Sequence, residues 1–270
     1  MLPLILEEVL INVKEVCKQP PIKFTRTIVT DQELQKMEDA VRNGTEFDRL
    51  GLKAEVWKRY KKGTNSIVCL DSPIARVIAI LPKGLEIPDD WGRVFQLFGM
   101  PKHGAKWNVY WFGSITPRRF PKSGLPLAAE HLNGGYTQPC STNGIFIYRI
   151  EEATRVLIHE LLHASCQDPM EKSIPQREAH VETWAEIMFV ALRAKGLESE
   201  ALRLWNFQTH WVSDTNYHAT IHNMTKGEGD YGWRYLNGRS DVYKSLGLEL
   251  PAPSGEKQTR SRFTHPELGD

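Results

Sequence analysis

The chain has 270 residues, and its 34 Lys+Arg against 33 Asp+Glu leave a net charge of +1. Near-neutrality removes the electrostatic basis for binding nucleic acid or an anionic membrane, while the length suffices for one large domain or two modest lobes. Cys17, Cys69, Cys140 and Cys166 are widely spaced without a Cys-x-x-Cys pair, which argues against a zinc ribbon or a dense disulfide framework. A cytoplasmic or other reducing compartment is therefore expected.

Residues 1–17, MLPLILEEVLINVKEVC, predict an amphipathic helix. They do not read as a signal peptide, because no basic leader precedes the apolar run and Glu7 and Glu8 interrupt it early. No stretch approaches the roughly 20 apolar residues of a membrane span. Without a secretory route, the Asn-x-Ser/Thr matches at Asn43 and Asn223 are read as coincidental. Thr30 to Asn43 predicts a helix with Thr30 or Asp31 as cap, Glu33 in a capping box and Gly44 as stop.

Between Ala54 and Leu81 the β-branched runs 66–70 and 77–81 predict short strands, or a strand and a helix. Val94 to Phe98 and Trp107 to Phe112 also read as strands. Arg118 to Ser141 is a long connection rich in Pro and Gly, and loops of that length are functional or disordered. Thr142 to Ile150 alternates as a strand does.

Glu151 to Cys166 contains His159-Glu160-Leu161-Leu162-His163, the HExxH pattern, in a helical context. Residues four apart on a helix lie nearly above one another, so two imidazoles can turn toward one point with Glu160 beside them. That is the geometry of a zinc site with an adjacent base. Pro175 to Lys195 predicts a second helix, ending before Gly196, with Glu178, Glu182 and Glu186 in one stripe. Its other residues are so apolar that the stripe is expected to be buried, and buried carboxylates need partners.

HExxH on one helix and Glu on the next resembles the gluzincin zinc metallopeptidases, and the sequence around both helices also resembles uncharacterised metallopeptidases encoded by large DNA viruses. The resemblance covers about a sixth of the chain. It implies an α+β, zincin-like fold with a small mixed sheet and a mostly helical C-terminal half. It also implies one Zn2+ per chain and a peptide or protein substrate. Eighteen residues separate His163 from Glu182 in a Glu-x-x-Ala setting, the aminopeptidase spacing, so His159, His163 and Glu182 are the implied ligands, with Glu178 as fallback. An acid at Glu186, or at Glu178, would then bond a ligand histidine and fix its orientation. An edge strand preceding the HExxH helix would pair with extended substrate, a role that falls on 142–150.

The implied chemistry is hydrolysis by a water activated at the metal, with Glu160 as general base and then as proton donor to the leaving amine. A donor aimed at the oxyanion would come from downstream: Tyr217, His218, His222, Tyr231 and Tyr235 are candidates. His218 and His222 also form a second i, i+4 pair in the predicted helix 197–224. Arg118, Arg119, Arg149 and Arg234 are candidates to hold a substrate carboxylate, leaving endo- versus exopeptidase open. The alternatives are a metallopeptidase-like binding protein without turnover and a zinc hydrolase of a non-peptide amide.

The expected organisation is an N-terminal α/β lobe over 1–100 and a catalytic domain over 101–250 with a Gly-rich flap at 226–239. A disordered tail, 251–270, is expected to follow.

Overall fold

A computed structural model describes residues 2–102 and 106–269. The fold is α+β, with a six-stranded mixed sheet and nine α-helices among the described residues. The chain divides into two compact units that interleave along the sequence instead of parting near residue 100: one of residues 20–117 and 133–166, the other of 1–19, 118–132 and 167–270. Among the described residues no helix is long and apolar enough to cross a membrane.

The first of these is a sheet covered on both faces. Its strands are β1 (Thr25–Arg26), β2 (Asn65–Asp71), β3 (Ala75–Pro82), β4 (Trp107–Phe112), β5 (Gly135–Thr137) and β6 (Ile145–Ile147), in the order β1-β2-β3-β4-β6-β5. β3, β4 and β6 run parallel, and the other pairings are antiparallel. Alternation sorts the side chains between faces. Ile78, Ile80, Tyr110 and Phe112 meet Met37 of helix α2 (Asp31–Arg42) and Val56 and Trp57 of helix α3 (Leu52–Lys61). On the opposite face Trp111 packs its ring 5.0 Å from Trp91 of helix α4 (Asp90–Phe98), and Trp91 Nε1 donates to Thr154 of the HExxH helix at 3.1 Å.

Several expectations are met. The capping box of Thr30 and Glu33 opens α2, and Glu33 also pairs with Arg76 of β3. The runs 66–70 and 77–81 are strands, as is 107–112. Val94 to Phe98, expected as a strand, is instead the end of α4. The deciding pattern is Trp91, Val94 and Phe95, buried at helical spacing, after an acidic first turn and before Gly99. The strand expected over 142–150 shortens to β6 and is flanked by β4 and β5, so it is not an edge. The edge is β5, inside the stretch that reads as loop because Gly134 and Gly135 are turn residues in isolation.

The other unit is helical: α1 (Leu4–Lys18), α5 (Ala129–Leu132), α7 (Ile174–Arg193), α8 (Glu198–Ile221) and α9 (Asn237–Ser245), with 3₁₀ turns at Trp233–Tyr235 and Pro266–Leu268. α7 runs through its middle in contact with α1, α8 and α9. Ser173 and Gln176 cap α7 reciprocally, and Gly196 ends it at φ 75°, where a Cβ would stand 2.6 Å from Lys14 Cα. The expected Gly-rich flap is partly helical, since α9 begins at Asn237. The tail is ordered: Phe263, Thr264 and Leu268 are buried, Trp211 Nε1 donates to the Arg262 carbonyl, and Ser261 Oγ donates to the His131 carbonyl. Sparse apolar residues suffice there because backbone carbonyls supply the other contacts.

Candidate functional site

The HExxH motif lies on α6 (Ala153–Ala164), every residue of which is buried. Leu157, Leu161 and Ile158 contribute to the packing, which holds the helix without a side-chain cap; Glu152 enters it at φ 62°. At the other end the carbonyl of His163 accepts from two amides, Cys166 N at 3.1 Å and Cys140 N at 2.9 Å. Cys140 and Cys166 form a disulfide. The sequence gives no hint of this pairing, because the partners lie 26 residues apart and meet only through the fold.

On one side of α6 the two imidazoles converge. His159 Nε2 and His163 Nε2 are 3.2 Å apart, with ring centroids 4.8 Å apart and planes at 73°, and both residues are buried. Glu160 is 4% exposed. Strand β5 passes directly over it: a Cβ on Gly135 would lie 3.0 Å from Glu160 Oε1 and 2.7 Å from Val156 Cγ1. This close approach is absent from the sequence reading. Its only trace there is the Gly-Gly pair.

The three carboxylates of α7 have different surroundings. Glu178 Oε2 accepts from Tyr235 OH at 3.4 Å, and Tyr231 OH stands 3.4 Å from Tyr235 OH. Glu182 is 1% exposed. Glu186, expected to orient a ligand histidine, is fully buried with a partner on each oxygen: Arg239 donates to Oε2 at 2.8 Å and Gln208 to Oε1 at 2.5 Å. A guanidinium with no exposure needs a counter-charge, and Glu186 is that charge.

Of the expected oxyanion donors, Tyr231 and Tyr235 gather at Glu178. Tyr217 is 42% exposed on α8. His222 Nδ1 pairs with Ser123 Oγ at 3.2 Å, and its ring packs 4.5 Å from that of His218. Burial, then the neighbouring His222, pushes the His218 imidazole below its usual range, and Phe120 covers it. Among the described residues no third ligand joins this second histidine pair. Arg118 and Arg149, considered for a substrate carboxylate, are buried and donate to main-chain carbonyls: Arg118 Nε to Leu132, Arg149 Nε to Asn133 and Arg149 Nη1 to Thr116.

In comparisons with known proteins, no family model, curated protein or solved structure matches the chain.

Proposed function

We propose that the protein is a zinc-dependent peptidase in which His159 and His163 bind the ion, Glu160 is the general base and a carboxylate of α7 is the third ligand. The observation that carries the reading is the convergence of two buried imidazole nitrogens, 3.2 Å apart, beside a buried carboxylate. With their protons on Nδ1, two neutral imidazoles present both Nε2 lone pairs toward one point, as ligation of a single cation requires. The donor set also fits. Two histidines and one carboxylate are a catalytic zinc set, which keeps a coordination position open, and structural sites use four protein ligands.

For the third ligand we assign Glu178, the fallback of the sequence analysis. Its carboxylate is held by a neutral phenol, whereas Glu186 spends its charge on Arg239. Glu182, favoured on spacing, is one turn further along the same helix and serves as the comparison in the test below.

When bound, the ion supplies Lewis acidity to a water and to the scissile carbonyl. Glu160 takes the proton of the attacking water on its carboxylate and returns it to the leaving amine. β5, an antiparallel edge strand of its sheet, offers backbone groups along which an extended peptide can align. Tyr235 donates to Glu178 and Tyr231 to Tyr235, so Tyr217 and His222 are the candidates left to serve the developing oxyanion.

Metal analysis of the purified chain tests the reading. One zinc per chain is expected, lost in His159→Ala and His163→Ala, and weakened more by Glu178→Gln than by Glu182→Gln. Glu160→Gln keeps the zinc and loses peptide hydrolysis by several orders of magnitude. A chain that takes up no zinc ends the proposal. A Glu160→Gln protein that retains full biological activity would instead favour a binding protein without turnover.

A further inference from the structure

Two tyrosine hydroxyls form a chain that ends on Glu178. Tyr235 is 8% exposed, its ring lies 5.9 Å from that of Phe263, and its hydroxyl reaches Glu178 Oε2. Tyr231 reaches Tyr235 in turn, and the Arg234 guanidinium sits 4.7 Å over the Tyr231 ring. An ionised carboxylate only accepts, so Tyr235 donates to it and leaves its own oxygen to accept from Tyr231. The direction of the chain is thereby fixed.

We propose that Tyr235 is a positioning residue for the metal site: it holds one oxygen of Glu178 so that the other is presented to the ion, with Tyr231 supporting it from outside. The proposal rests on Glu178 being a ligand. An unrestrained Glu side chain must lose rotamer freedom to bind an ion, and a hydrogen bond made beforehand removes part of that cost. Occupying one oxygen also favours ligation through a single oxygen, which leaves coordination space for water and substrate.

Tyr235→Phe keeps the ring against Phe263 and deletes only the donor. Zn2+ affinity, measured by competition with a chelating indicator, is expected to fall about 10- to 100-fold. The visible spectrum of the Co2+-loaded protein should shift, because the carboxylate is free to change its mode of ligation. Tyr231→Phe, which leaves the Tyr235 donor in place, should weaken Zn2+ binding less and provides the reading should Tyr235→Phe not fold. Wild-type affinity and an unchanged Co2+ spectrum in these variants overturn the positioning role while leaving the metal site standing. A wild-type chain that binds no Zn2+ overturns both.

Discussion

Gly135 and Glu160 face each other so closely that the strand's missing side chain makes room for the carboxylate: a Cβ on Gly135 would stand 3.0 Å from Glu160 Oε1. The same Cβ would meet Val156 Cγ1 at 2.7 Å and the Phe146 carbonyl at 2.9 Å, so relief cannot come from one flexible group. Gly135→Ala must push β5 away from α6 or turn Glu160 aside. We expect a destabilisation of about 1–3 kcal/mol from overpacking and, under the proposed peptidase function, at least a tenfold loss of kcat on a peptide substrate with zinc content unchanged. Thermal unfolding, steady-state kinetics and metal analysis check the three parts. A fully active Gly135→Ala protein would show that β5 does not constrain Glu160 in its proposed role as base.

Glu186 and Arg239 form an ion pair with no exposure on either side. Glu186→Gln leaves the guanidinium buried without its counter-charge, and a loss of about 3–5 kcal/mol is expected. Arg239→Met with Glu186→Gln should cost less than the two single changes summed, because neither charge is then stranded. Denaturant midpoints of the four proteins measure this coupling. If Glu186 instead served the proposed metal site, the single variant would lose zinc affinity in the folded protein and little stability.

Much of this molecule is legible from local pattern. The capping box at Thr30, Pro175 in the first turn of α7 and the apolar spacing in α6 are properties of neighbouring residues, and they place the helices within a few positions. The HExxH imidazoles converge because one helical turn separates them. What escapes the sequence is set by distant partners. Val94 to Phe98 is as apolar as a strand, and only the burial of Trp91 beside it distinguishes the helix. The stripe Glu178, Glu182, Glu186 is visible, but Arg239 and Gln208 decide which member is spent on an internal pair. β5 and Cys140 lie in a stretch whose Gly and Pro content imitates a loop, and the partner Cys166 lies 26 residues further on.

That bridge joins the segment after β5 to the residue just past α6, where both cysteine amides bond the His163 carbonyl. Closing a loop across a sequence separation of 26 residues removes chain entropy equivalent to about 3.5 kcal/mol from the unfolded state. The Cys140→Ser, Cys166→Ser double variant should therefore unfold at lower temperature, and its amides near 137–145 and 163–166 should exchange faster than those of the wild type. A thiol reductant should reproduce both effects in the wild type and neither in the variant. Equal exchange in oxidised and reduced protein would mean that hydrogen bonding alone holds this end of α6.

Lys53 of α3 reaches across to β5, where its Nζ donates to Tyr136 OH at 2.8 Å and stands 4.6 Å over the ring. Burial lowers its ammonium from the ordinary 10.5 to about 8, partly offset by the charge of Asp48. Burial pushes the Tyr136 phenol upward, so it remains neutral while Lys53 titrates. The unfolded chain keeps its Lys53 proton up to about pH 10.5, whereas the folded chain releases it near pH 8. Between those values the unfolded state binds more protons, so the Lys53 contribution makes stability rise with pH. Below pH 8 both states are charged, and the folded state bears the whole cost of burying the ammonium. The difference in unfolding free energy between wild type and Lys53→Met should therefore increase from pH 8 toward 10.5 and be flat below that window. Urea unfolding across this range tests it, and parallel curves for the two proteins would show that the ammonium is solvated and does not pin β5 through a desolvated contact.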